Sequence, residues 1–315
     1  MKPIPWDGNV ITKAGIYSGV PIEIYHQQLT DSPSVSKSGL WKMVSPEGSP
    51  ADLFDESYLN EEAEPFEQSE ALILGRGSHH LLLGESDFDA NFAIRPETYP
   101  PEGKAWSGNS GWCKNWLADR AREGRTVLKA DHIKRIRGMS RSLAAHPLVR
   151  NGILNGLIET TLCYRDVETG IWVKVRPDCC PTDDLDVADL KTAASVSDKA
   201  IDRALGEFGY YLQGALVKMA FENVLGVSLG SFSLVFVESQ RPHSVRVVTM
   251  RAEDLELGEQ LARAGLRLMA KCLDSGVWPG PGGVTSDAVY AGITPWHRQE
   301  AEYRLSRMRD EVEAM

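Results

Sequence analysis

Two carboxylates and a lysine in the middle of the chain have the types and spacing for phosphoryl chemistry. They lie in the strings IWVKVRPD and LDVADLKT, with ten residues between Asp178 and Asp189. A strand period of two puts Leu185, Val187, Asp189 and Lys191 on one side, so the second acid and the lysine are neighbours. In the first string Ile171, Val173 and Val175 face one way, and Trp172, Lys174, Arg176 and, with the strand continued, Asp178 face the other. Pro177 tends to end the pairing, and an acid at a strand end can project into a cleft. Two carboxylates from adjacent strands suit a hard divalent ion, Mg²⁺ or Mn²⁺, that polarises a phosphate and activates a water. Asp178 and Asp189 would hold the ion, with the carbonyl of Leu190 completing the coordination. Lys191 would orient or deprotonate the water and offset phosphate charge. Spacing alone supports a metal-dependent hydrolase, with a nuclease as one such enzyme.

Other residues have two readings each. Lys174 and Arg176 share the expected cleft face with Asp178, either for phosphate contact or for simple charge pairing. Glu159, at the start of a strand pattern, is either a further metal or water ligand or a solvent-facing side chain. Gln213, one turn after Tyr210, belongs either to a substrate-facing stripe or to the packing of a buried helix. Of the adjacent pair His79 and His80, only one can face a given point, because neighbouring helical positions diverge by about 100°.

The elements that must position these groups form an α/β pattern. A short helix with a serine cap is expected over 35–44, and a second over 67–83, with Leu72, Leu82 and Leu83 on one broad face with Gly75 and His79. A basic helical region is expected over 112–145. Then come IETTLCYRD and IWVKVRPD as an antiparallel hairpin leading into a third strand, LDVADLKT. One helix over 197–224, strands SFSLVFVES and HSVRVVTM, a helix over 252–275 and a polar helix from Pro295 complete the chain. No internal repeat or long linker divides it, so a single catalytic domain is expected: an N-terminal extension (1–66), a core (67–250) and C-terminal helices (251–315).

The 315 residues, 42% hydrophobic and 25% charged, suffice for a large core. The absence of any run of about 18 apolar residues and of a basic, apolar leader gives no membrane span and an expected cytoplasmic location. Five cysteines, an odd number without a C-x-x-C pair, imply neither a disulfide framework nor a zinc ribbon and argue against an iron–sulfur centre. No G-x-x-x-x-G-K-[ST] string occurs, so ATP-driven translocation is not encoded. The net charge of −10 sits poorly with nucleic-acid binding, but eleven Lys and Arg against three acids (Asp119, Glu123, Asp131) give residues 104–150 a local excess of eight positive charges. Residues 51–70 carry eight acids and no base, which reads first as a solvated surface.

RPD, DLKT and a following helix with Tyr210 and Gln213 resemble the PD-(D/E)xK nuclease superfamily, and within it the RecE-like exonucleases of phages and prophages. The resemblance covers most of the chain. SVSKSGLWKMVSPEGSPADLF is similar to the family's Ser-x-Ser-x-Leu segment, GRGSHHLLLGE to its Gly-x-x-x-His helix, and LRLMAKCLDSGVWPGPGG to its closing helix and Trp-Pro turn. It implies a restriction-endonuclease-like fold, a mixed central sheet flanked by helices. It further implies His79 as a metal ligand beside Asp178 and Asp189, and Tyr210 and Gln213 as groups that place the substrate strand. The chain departs from the pattern at Val217, where a tyrosine is often found, so the DNA contact that tyrosine would make is not carried over.

Relatives of this type digest linear double-stranded DNA from 5′ ends, leaving 3′ single-stranded tails for recombination. A ring-like homo-oligomer and a single-strand annealing protein as partner are carried over with the resemblance. Two other readings stand beside it: a non-catalytic scaffold or DNA-binding module, and an endonuclease or single-strand nuclease of the same superfamily.

Overall fold

The computed structural model describes residues 2–64, 68–85, 87–99, 103–182, 184–283, 288 and 290–314. The chain opens with β1 (Ile4–Pro5), β2 (Gly15–Ser18), α1 (Ile22–Tyr25), β3 (Ser34–Val35), α2 (Lys37–Val44) and α3 (Pro50–Asp55). Next come α4 (Glu70–Leu82), α5 (Phe88–Asn91), β4 (Phe92–Ile94), β5 (Thr98–Tyr99), β6 (Lys104–Ala105), α6 (Gly111–Arg122) and β7 (Thr126–Leu128). They are followed by α7 (Ala130–Ala145), α8 (Pro147–Arg150), β8 (Leu157–Ile158), β9 (Thr161–Arg165), β10 (Trp172–Val175), β11 (Cys179–Cys180) and β12 (Asp186–Ala193). The chain closes with α9 (Asp198–Glu207), α10 (Tyr210–Leu225), β13 (Ser231–Glu238), β14 (Val245–Thr249), α11 (Ala252–Ser275) and α12 (Pro295–Glu313).

Helix ends follow their chemistry. Ser69 caps α4 by accepting from the Leu72 N–H, and Ser49, followed by Pro50, opens α3. The basic region expected as one helical stretch is two helices, α6 and α7, with β7 between them. The helix expected over 197–224 is likewise two, broken at Gly209, whose φ of 58° no continuing helix can hold.

The sheets are mixed and flanked by helices, and there are two principal ones. Sheet one runs β1-β2-β9-β10-β3 and sheet two β14-β13-β12-β11-β8. The hairpin of β9 and β10 forms as expected, with Val173 opposite Tyr164. It does not continue into β12, because after Val175 the chain leaves sheet one through Arg176 and Pro177 and re-enters sheet two at β11. There β11 pairs antiparallel with β12 (Cys179 opposite Ala188), and β12 runs parallel to β13, with Asp189 beside Leu234.

Both faces of sheet two are covered. On one, Val187, Leu234 and Phe236 join Leu212 and Leu216 of α10 and Leu266 and Met269 of α11 in the largest core. On the other, Ala188, Leu190 and Val235 pack against Leu74 of α4 and Ile136, Met139 and Leu143 of α7. Phe54 stacks on Trp278 at 5.2 Å between ring centroids, which ties α3 to the Trp-Pro turn. Met1–Pro281 and Gly282–Met315 form two compact units, the second consisting mainly of α12. Among the described residues no helix is long and apolar enough to cross a membrane.

Candidate active site

Strand β12 sorts its side chains by alternation. Ala188 and Leu190 go to the α4/α7 side, so Asp189 and Lys191 lie on the α10 side with Val187. Asp189 is buried, its Oδ1 accepts from Gln213 Nε2 at 2.8 Å, and its Oδ2 pairs with the Lys191 ammonium. That ammonium also lies 5.0 Å from the Tyr210 ring centroid.

Asp178 sits at the turn into β11. Its Oδ2 accepts from the Leu190 N–H at 2.6 Å, and its Oδ1 is 3.2 Å from His79 Nδ1 on α4. Glu159, just after β8, has a φ of 50°, a left-handed conformation that costs a residue of this type energy and often marks functional positions. Its N–H donates to the Asp178 carbonyl at 3.2 Å. Its Oε2 accepts from Arg176 Nε, while Arg176 Nη1 donates to the Val20 carbonyl at 2.6 Å.

The like charges crowd one another. Burial and the Asp178 carboxylate push the Glu159 carboxyl up to about 7 against the pull of Arg176. Burial and the same neighbour raise Asp189. Burial works against the charged imidazolium of His79, but the Asp178 carboxylate prevails and lifts it to about 9. Lys191 is raised in the same way: burial opposes its charge, and Asp189 outweighs burial.

Three groups form a ligand set: one atom each of His79, Glu159 and Asp178 lie within 4.8 Å of one another. One imidazole nitrogen and two carboxylates suit a hard or borderline divalent ion, and a cation there would relieve the repulsion that raises Glu159 and Asp189. The titrations give a testable sign. Raised above their ordinary values of 4.5 and 6.5, Glu159 and His79 hold protons in the folded state that the unfolded chain has released. Their contribution to stability is therefore present at low pH and lost upward, through about 4.5–7 for Glu159 and 6.5–9 for His79. In EDTA the wild type should therefore lose more, or gain less, melting temperature between pH 5 and 7 than Glu159→Gln does, the lowered His26 and His132 acting in the opposite sense in both proteins. Scanning fluorimetry in steps of one pH unit checks it; an unchanged slope in the variant would refute the assignment to Glu159.

Among the residues picked from sequence, His79, Asp178, Glu159 and Arg176 converge, with Asp189, Lys191 and Gln213 forming the adjoining chain of contacts. Leu190 enters through its backbone, its side chain being buried in the second core. Gln213 donates from Nε2 to Asp189 Oδ1, which places it beside the acids. Tyr210 lies under the Lys191 ammonium. His80 stays outside the ligand set: it also lines the cavity, but its ring packs 5.1 Å from that of Phe92 and its Nδ1 lies 3.5 Å from Glu85. Val217 is buried in the main core.

Lys174 is placed elsewhere. It is buried, its Nζ donates to the Gln27 carbonyl at 3.0 Å, and it lies over the rings of Tyr25 and Tyr58. The reason is that this face of β10 is covered by the N-terminal segment and never opens to the cleft. Burial lowers its amine to about 8. Lys174→Met should leave turnover within about twofold, whereas Arg176→Met, which removes a cation from the cleft, should cost about tenfold or more. Steady-state rates of the two variants compare them directly.

The set opens onto a cavity of about 1490 Å³, which His79, Glu159, Arg176 and Lys191 help to line. Sequence reasoning missed Arg76, which lines it one turn before His79. The i, i+3 spacing in GRGSHH was an available signal. The basic segment contributes less than its charge suggested. Of its eleven cations only Arg125 lines the cavity among the described residues. Arg120, Arg122 and Arg135 pair with Glu123, Asp119 and Asp131. Lys134, Arg137 and Arg141 are exposed, at helical positions on the side of α7 away from its buried Ile136, Met139 and Leu143.

A family model for a PDDEXK-like domain of unknown function (DUF3799) matches residues 38–286. A crystal structure of a "Putative exonuclease" from Eubacterium rectale superposes with a TM-score of 0.59 over 88% of this chain and 96% of that chain, at 14% identity. At that identity the likeness is one of fold. No curated protein sequence matches the chain. The mixed sheets and flanking helices are thus a restriction-endonuclease-like fold.

Proposed function

Since this chain belongs to the PDDEXK-like family DUF3799, we propose that it is a divalent-metal-dependent deoxyribonuclease. In the finer reading it is an exonuclease that digests linear double-stranded DNA from its ends, 5′→3′, and leaves 3′ single-stranded tails for recombination. The observation that carries the proposal is the convergence of His79, Glu159 and Asp178 beside the Asp189–Lys191 pair, at the wall of a large cleft. The RecE-like strings RPD, DLKT and GRGSHH support the finer reading.

His79, Asp178, Glu159 and Asp189, with the Leu190 carbonyl, are the groups that would hold Mg²⁺ or Mn²⁺. Such an ion supplies polarisation of the scissile phosphate and a water of lowered pKa. The protein's own part is positional. The Leu190 N–H fixes Asp178, Gln213 fixes Asp189, and Arg176 fixes Glu159. Lys191, held as an ammonium by Asp189, offers a fixed positive charge for the phosphate and a donor to orient the attacking water. Arg76, Arg125 and Arg176 line the cleft, paired with Glu23, Glu123 and Glu159, and would meet a substrate phosphate by sharing or exchanging those partners. Ends of linear duplex, a ring-like homo-oligomer, an annealing protein as recipient of the tails and a cytoplasmic setting complete the proposal.

Digestion of 5′- and 3′-end-labelled linear duplex with Mg²⁺ or Mn²⁺, beside closed-circular DNA and an Asp189→Asn control, tests it. Progressive loss of the 5′ label, absent with closed circles and with the variant, is the expected result. Cleavage of closed circles would make the protein an endonuclease, preference for single strands a single-strand nuclease, and no cleavage with either metal a scaffold. Added Mn²⁺ should raise the melting temperature more at pH 8 than at pH 6, because the ion competes with protons on His79 and Glu159.

A further inference from the structure

The segment between α5 and α7 carries a group of aromatic rings outside the three apolar cores. Tyr99 lies 5.4 Å from Trp112 between ring centroids, Trp112 6.0 Å from Trp106, and Trp106 5.6 Å from Trp116. All four residues are half-buried, neither enclosed in a core nor fully exposed. Two guanidinium groups cover them, Arg95 5.3 Å from the Trp106 centroid and Arg120 5.1 Å from that of Trp116. Arg120 is neutralised by Glu123. Arg95 has no acid partner among the described residues, and its Nε is buried without a hydrogen bond.

The position of this ladder matters as much as its composition. Trp112, Trp116 and Arg120 are spaced i, i+4, i+8 along α6, and Ala121, at the end of the same helix, lines the cleft together with Gly124 and Arg125. From Trp112 to Ala121 the helix rises about 14 Å. The rings themselves do not line the cavity, but the helix that carries two of them ends at its rim. Ring faces interleaved with an unpaired guanidinium are the chemistry that binds unpaired bases and the phosphates between them. A duplex keeps its base faces stacked on one another and offers only its backbone, so the rings favour a single strand.

We propose that Tyr99, Trp106, Trp112 and Trp116, with Arg95, form a stacking track for an unpaired DNA strand alongside α6, whose C-terminal end reaches the cleft. The strand's link to the cavity rests on the nuclease reading; the binding itself does not. The test is titration of the full chain in EDTA with a 12-nucleotide oligothymidylate, read by tryptophan quenching and by anisotropy of a labelled strand. The same-length abasic strand, oligouridylate and duplex are run beside it. The thymidylate should quench and bind at least about fivefold tighter than the abasic strand. Trp106→Leu, which keeps apolar bulk, should weaken binding about five- to tenfold, and Arg95→Gln about threefold with a shallower salt dependence.

Equal affinity for the abasic strand, or wild-type affinity in both variants, would overturn the track; tighter binding of oligouridylate or of duplex would overturn the choice of a DNA single strand. If Trp106→Leu fails to give the wild-type melting profile, Arg95→Gln and the abasic comparison decide. Duplex digestion by the same preparations separates the two ideas. Intact digestion with no stacking sinks the track alone, whereas stacking without digestion by any preparation sinks the nuclease reading alone.

Discussion

Lys191→Met should reduce cleavage by about a thousandfold or more while DNA binding stays within a few-fold. The methionine fills similar volume, so the loss isolates the charge. Lys191 is the one cation in contact with Asp189 among the described residues, and its side chain is 18% exposed, enough to meet a substrate and too little for bulk water to replace it. Removing it also leaves Asp189 with Gln213 alone, next to the Asp178 charge that already raises it. The variant should therefore be less stable in EDTA, by about 1–3 kcal/mol, and recover part of that when a divalent ion is added. Lys191→Arg should not restore the rate: a guanidinium can still cover the Tyr210 ring, but its larger planar fork does not reproduce the compact point charge held against the buried Asp189 carboxylate. Single-turnover rates at saturating DNA, with melting curves in EDTA and in Mn²⁺, check both halves. A variant that melts like the wild type yet cuts within tenfold of its rate would remove Lys191 from the chemistry.

The parts of the site legible in the sequence are those written in strand periodicity. Asp189 and Lys191 share a side because they sit two apart in a continuous strand, and Asp178 lies at a strand end because Pro177 interrupts the pairing. The same periodicity misplaced Lys174. Alternation puts it on a face with Arg176, but whether that face is open depends on Tyr25, Gln27 and Tyr58, which come from far along the chain. Glu159 could not be resolved from its neighbours, since its direction comes from a left-handed backbone at a non-glycine residue and from an Arg176 seventeen positions away. The transfer of the chain from one sheet to the other after β10 is likewise invisible locally: β9 and β10 read as a hairpin, and they are one, but the next strands pair with a different sheet. Helical spacing puts Gln213 one turn after Tyr210, and only the tertiary contact shows that its amide meets Asp189.

The break between α9 and α10 carries the second large effect. Gly209→Ala should destabilise the fold by about 2–5 kcal/mol, the sum of a left-handed alanine, about 1–2 kcal/mol, and an overpacked contact, about 1–3 kcal/mol. The contact is specific: a Cβ at residue 209 would lie 2.4 Å from Cε3 of Trp41, a ring that packs edge-on against Tyr211 at 6.0 Å. Relief requires α2 to move away from the start of α10. That start is where the site is held, since the Gly209 carbonyl accepts from the Gln213 N–H at 3.2 Å and Lys37 donates to the carbonyl of Phe208. A shift there moves Gln213 off Asp189 and Tyr210 off Lys191, so turnover should fall by about tenfold or more even in the molecules that stay folded. Trp41→Leu in the same chain removes the clash and leaves the backbone cost, and should recover roughly half of the lost stability. Melting temperatures of the two single variants and the double variant close the cycle. Additive losses would show that Trp41 does not limit residue 209, and a Gly209→Ala protein melting within about 2 °C of the wild type would mean that this glycine is not what sets the angle between the helices.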